Sequence, residues 1–98
     1  MGNIKIFYAY RLREITGKSS EELELNTPSS IHDLIDHLAQ IYGPEFSEET
    51  CLESLEFGQR SSFYLIFVDG KKIPDLRKFE PLIKNQSEVT FLPLTGGG

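Results

Sequence analysis

Three glycines, Gly96, Gly97 and Gly98, close the sequence one residue, Thr95, after a largely apolar run from Val89 to Leu94. A glycine run has no side chains, so it can thread a narrow channel and take up backbone angles that other residues avoid. Fully extended, Pro93 to Gly98 span roughly 20 Å. The carboxylate of Gly98 is the least hindered one a chain can offer to an activating nucleotide and then to a nucleophile. Chain ends are commonly loose, so the glycines alone leave a frayed terminus as the ordinary alternative.

The body offers less chemistry. His32 and His37 lie five residues apart on a helical stretch. That spacing is about 500° of rotation, so they do not share a face as a four-residue step would, and two solvent-facing residues are expected. Cys51 is the single cysteine, with no CxxC partner and no nearby histidine, so an inert thiol is expected. The carboxylates are dispersed and read as a solvated surface. No phosphate-binding glycine loop, GxSxG or metal motif occurs, so neither a metal site nor a self-contained enzyme is expected.

Composition narrows the partners. The 98 residues carry a formal charge of −5 and are 39% hydrophobic, which fits one folded domain rather than a disordered chain. Such an acidic domain is repelled by phosphate backbones, which argues against nucleic acid and for a basic protein surface. One cysteine permits no internal disulfide and suits a reducing compartment. No apolar run reaches membrane-spanning length, and the start lacks a signal-peptide pattern. Ile6 stands where a myristoylation motif needs Ser or Thr. The cytoplasm is the expected location.

The elements that must present the tail follow from periodicity. Ile4 to Tyr10 alternates as a strand with apolar residues on both faces, which predicts a central position. Arg11 to Gly17 reads as a turn or short helix. Glu22-Leu23-Glu24-Leu25 predicts a half-exposed strand in a hairpin with the first. Ile31, Leu34, Ile35, Leu38, Ile41 and Tyr42 predict a helix over 31–42, capped by Ser30 and stopped by Gly43-Pro44. A short helix opened by Ser47 and carrying Leu52 and Leu55 is expected before Gly58. Phe63 to Val68 is the densest apolar run and predicts a buried strand. Asp69-Gly70 turns the chain into a short edge strand, Lys71 to Pro74. Asp75 to Ser87 reads as a loop with a helical turn, and Val89 to Leu94 as the last strand.

One helix can cover one face of such a sheet, which makes an α+β two-layer domain with an open, partly apolar sheet face. Such a patch usually marks a partner site. The candidate docking residues are Phe7, Arg13, Phe91, Leu92, Pro93 and Leu94, although strand parity requires about half of the apolar ones to be core.

Four stretches carry a resemblance. They are Ile4-Lys5-Ile6-Phe7-Tyr8-Ala9-Tyr10-Arg11-Leu12-Arg13-Glu14-Ile15-Thr16-Gly17, the helix start from Ser30 to Leu38, the turn Phe67-Val68-Asp69-Gly70-Lys71, and the closing run Val89 to Gly97. Together they resemble the MoaD/ThiS family of ubiquitin-like sulfur carriers, and its MoaD branch in particular, which is the molybdopterin synthase small subunit. The likeness spans the chain apart from about 44–62.

The resemblance implies a β-grasp fold: a mixed five-stranded sheet packed on one main helix, with the first and last strands parallel at its centre. It implies a domain over 1–94 and a flexible tail over 95–98. An adenylating activating enzyme (MoeB-like) would use ATP to activate the carboxylate of Gly98. Sulfur from the persulfide of a sulfur-transfer protein would then replace AMP and leave a thiocarboxylate. The loaded tail would enter the large subunit of molybdopterin synthase (MoaE-like). This chain would bind no cofactor, and catalysis would reside in the partners. Three glycines stand where the family usually ends in two, and Leu92 precedes Pro93 where a second proline is common. The longer middle of the chain leaves a protein modifier, or a carrier for tRNA thiolation, as the alternative.

Overall fold

The computed structural model describes residues 2–50, 64–73 and 79–93. Strand β1, Gly2–Phe7, buries Ile4 and Ile6 and exposes Asn3 and Lys5, as its alternation requires. The chain turns at Tyr10, whose φ of 58° is positive, into the short helix α1, Arg11–Thr16. Gly17 ends α1 in the left-handed conformation that a residue without Cβ accepts freely. Strand β2, Ser20–Leu25, returns antiparallel to β1, two residues longer than the alternation of Glu22 to Leu25 suggested.

Helix α2 runs over Ile31–Tyr42 as expected. Ser30 accepts from the Asp33 amide at 3.0 Å while Asp33 accepts from the Ser30 amide, so two otherwise orphaned donors are satisfied. Ile31, Leu34, Ile35 and Leu38 are buried against the sheet. Gly43 stops α2 at φ 102°, and helix α3, Pro44–Glu49, begins at once. This start lies three residues before Ser47, where the sequence pattern predicts it. Proline suits the first helical position, because its φ is preset and its missing N–H would have had no partner there. Cys51, Leu52, Leu55 and Gly58 lie outside the described residues.

Strand β3, Tyr64–Val68, and the two-residue β4, Lys71–Lys72, form a hairpin. Asp69 and Gly70 both have positive φ, 53° and 85°, which matches the strand twist of a tight hairpin. Pro74, expected in this edge strand, and Leu76 are outside the described residues. Within the following loop Ile83 is fully buried and exchanges two backbone hydrogen bonds of 2.9 Å with Ser29, ahead of α2. Strand β5, Glu88–Pro93, completes the sheet.

The strand order is β2-β1-β5-β3-β4, with β5 parallel to β1 and antiparallel to β3. The core lies between the sheet and α2, and its largest fully buried side chains include Phe46 and Phe91. This mixed five-stranded sheet on one main helix is the β-grasp arrangement, with the first and last strands side by side.

Candidate functional site

Strand β5 leads to the glycine tail, so its register decides what surrounds the tail root. Val89 and Phe91 point to the helix side and are 0% exposed. Phe91 therefore cannot be a docking residue. It shares the parity of Ile6 and Val89 in the ladder, and that face is sealed by the helices. Leu92 has the opposite parity and is 41% exposed.

Ladder partners extend the outward row across the centre of the sheet. Phe7 aligns with Thr90 and Thr90 with Phe67, while Leu92 aligns with Leu65. Phe7, Leu65 and Phe67 are half-buried. With Leu92 they make an apolar patch on the open face, beside the end of β5 from which the chain continues. Farther from that end the same face carries Lys5, Glu22, Glu24 and Glu88, all exposed. The Lys5 ammonium stands 5.3 Å from the Phe7 ring centroid and borders the patch. Phe7 and Leu92 are among the expected docking residues, whereas Leu65 and Phe67 are additions from the ladder register. The signal was present, because a strand that is apolar at five successive positions must turn two of them outward.

Arg13 lies elsewhere. Its Nε donates to the Tyr8 carbonyl oxygen at 3.2 Å, which fastens α1 to the end of β1. Pro93 ends β5 opposite Tyr64. Leu94, Gly96, Gly97 and Gly98 are outside the described residues. His32 pairs with Asp36 at 3.6 Å. Among the described residues no group of three or more His, Cys, Asp or Glu is placed to hold a metal, and no helix is long and apolar enough to cross a membrane.

The helix side of the tail-bearing end is held by aromatic rings. Tyr8 stacks on Phe91 with centroids 6.3 Å apart, and Phe46 from α3 meets both edge-on at 6.0 Å. The Tyr8 hydroxyl donates to Glu21 at 2.5 Å, the Tyr42 hydroxyl to the same oxygen at 2.6 Å, and Lys18 Nζ to the other at 3.0 Å. Burial would raise the Glu21 carboxyl, but the donors Tyr42, Tyr8 and Lys18 outweigh it and hold it below its usual value. Burial, reinforced by Glu21, pushes the Tyr8 hydroxyl well above the usual tyrosine range.

The described body thus presents an apolar patch and a braced strand end, and the glycine run follows that strand in sequence. A family model described as the ThiS family matches residues 6–98. The chain belongs to the ThiS family. Among proteins of curated function, none matches this ThiS-family chain in sequence. Solved structures similar to it include a Pyrococcus furiosus protein assigned as molybdopterin converting factor, subunit 1, at 22% identity and TM-score 0.69, covering 95% of this chain and 98% of that one. Small archaeal modifier protein 1 from Methanosarcina acetivorans matches at 22% identity and TM-score 0.70, covering 100% and 98%. CysO, an antigen from Mycobacterium tuberculosis, matches at 22% identity and TM-score 0.73, covering 92% and 97%. The β-grasp body of this ThiS-family chain is that of the small ubiquitin-like sulfur carriers, which work with activating enzymes and sulfur-transfer partners.

Proposed function

We propose that this chain carries sulfur on Gly98 for molybdopterin synthesis. The observation that carries the reading is the parallel pairing of β1 with β5, which sets the apolar patch and the root of a glycine tail at the same end of the sheet. A partner that grips Phe7, Leu65, Phe67 and Leu92 then has the tail within reach of its own active site.

The chemistry needs nothing catalytic from this chain. A carboxylate resists nucleophiles because it is negatively charged, and joining it to AMP removes that obstacle. The Gly98 carboxylate oxygen attacks the α-phosphorus of ATP and pyrophosphate leaves. A persulfide on a sulfur-transfer protein attacks the acyl carbon and AMP leaves, forming an acyl disulfide. A second thiol cleaves that disulfide, giving the thiocarboxylate and a new disulfide on the donor. Gly96 and Gly97 keep the tail slim enough to enter the partner. The resemblance of the opening and closing segments to the MoaD branch, and the name of the Pyrococcus furiosus relative, favour a MoaE-like large subunit as acceptor and a MoeB-like enzyme as activator.

Intact-mass spectrometry after incubation with ATP, a persulfide source and the host activating enzyme tests the reading. A gain of about 16 Da, one oxygen exchanged for sulfur, is expected. Isopeptide adducts to lysines with no such gain would instead make the chain a protein modifier.

A further inference from the structure

We propose that α3 is a clamp that fixes the direction in which the tail leaves the body, with Phe46 and Glu49 as its positioning residues; this rests on the carrier reading above. The two residues are three apart in a six-residue helix, so they share one face. Phe46 is fully buried and packs edge-on against Phe91 of β5 and against Tyr8, the residue that follows β1. Glu49 accepts from the Tyr64 hydroxyl at 2.7 Å, and its other oxygen lies 3.6 Å from Arg11 Nε at the start of α1. Tyr64 is the ladder partner of Pro93, the last strand residue before the tail.

One face of α3 therefore touches β5, β3 and the residue that follows β1, at the end where β5 gives way to the tail. That arrangement matters for a tail that must enter a channel. If the last two residues of β5 fray, the tail pivots from nearer the middle of the sheet and samples a wider cone. Fewer encounters with the activating enzyme then begin with the terminus aimed inward. The chemistry after entry is unchanged, so the loss falls on the effective affinity for the carrier and not on turnover. Phe46 is the deep part of the clamp. The Glu49 contacts lie nearer solvent and can be removed singly without opening a core cavity.

The test uses the full chain carrying Glu49→Ala, Tyr64→Phe or Glu49→Gln. Amide exchange is followed at Phe91 and Leu92 and compared with Val89 in the same strand. Pyrophosphate release by the activating enzyme is followed against carrier concentration. For Glu49→Ala and Tyr64→Phe, exchange at Phe91 and Leu92 is expected to quicken about tenfold while Val89 stays unchanged. The KM for the carrier is expected to rise about three- to tenfold with kcat within about twofold. Glu49→Gln keeps an oxygen for the Tyr64 hydroxyl and is expected to restore both readouts. Uniform quickening along β5, or an unchanged KM, overturns the clamp. A wild-type chain that is never adenylated overturns the carrier reading instead, and the exchange arm still judges whether α3 holds the strand end.

Discussion

The Tyr8 hydroxyl and Glu21 Oε2 lie 2.5 Å apart on the helix-covered side of the sheet. This bond ties the residue that follows β1 to β2, and the same oxygen accepts from Tyr42 at the end of α2. Three elements thus meet on one carboxylate, which Lys18 completes from the loop between α1 and β2.

Because that carboxyl titrates lower in the folded chain than in the unfolded one, its contribution is fully present above the unfolded value, about 4.3. It disappears as pH falls through the lower folded value. Glu21→Gln is expected to cost about 1–3 kcal/mol at pH 7 and to flatten the acid side of the stability profile. Urea unfolding at pH 7 and at pH 3 measures it. Equal losses at both pH values would contradict the assignment.

At alkaline pH the sign reverses. The Tyr8 hydroxyl is raised by burial first and by Glu21 second, so its contribution is complete below the unfolded value, about 10, and declines as the unfolded tyrosine ionises. Tyr8→Phe is expected to lessen the fall in stability between neutral and strongly alkaline pH. Thermal melts across that range show it.

Outward and inward residues of β5 are expected to separate in their effects. Leu92→Thr keeps strand propensity and is expected to change stability by less than about 1 kcal/mol while weakening partner affinity about tenfold. Phe91→Ala is expected to cost about 3–5 kcal/mol of stability. Calorimetric titration with the activating enzyme, paired with denaturant unfolding, resolves the two.

Gly2 is a packing position. A Cβ there would lie 2.8 Å from Thr27 Oγ1 and 2.9 Å from the Asn85 Cα. The Asn85 backbone cannot easily retreat, since its side chain accepts from the Asn3 amide and the next residue, Gln86, donates to the Asn3 carbonyl. Gly2→Ala is expected to destabilise by about 1–3 kcal/mol, read from the urea midpoint.

Removal of Gly97 and Gly98 is expected to leave the melting temperature unchanged and to abolish the mass gain on sulfur loading. Sulfur loading of the shortened chain would place the reacting carbon elsewhere.

Periodicity made the bulk of the fold readable. Apolar residues at three- and four-residue steps marked α2 to the residue, and Ser30 declared its start. The β1 strand was legible from the alternation of Ile4, Ile6 and Tyr8 with Lys5 and Phe7, although it spans Gly2–Phe7 and not Ile4 to Tyr10, because the chain turns at Tyr10 into α1. The side of the sheet that each β5 residue faces was harder, since Phe91 and Leu92 are both large and apolar and only the ladder with β1 separates them. Leu65 and Phe67 were hidden for a related reason: a continuous apolar run names a buried strand without naming its outward face. Phe46 and Glu49 could not be recognised locally, because their role depends on strands distant in sequence. The Glu21 network was equally silent, as nothing in Glu21-Glu22 says which carboxylate turns inward.

The seat of β5 between β1 and β3 joins two parts of the sheet that are distant in sequence. Before β5 is in place, the β1–β2 hairpin and the β3–β4 hairpin have no hydrogen-bonded neighbour in common, and Phe7 and Phe67 belong to separate surfaces. The apolar row and the strand end that leads to the glycines are aligned by a single long-range closure. Under the proposed carrier reading, a copy with β5 out of place would keep its glycines but lack a continuous apolar row for a partner to hold.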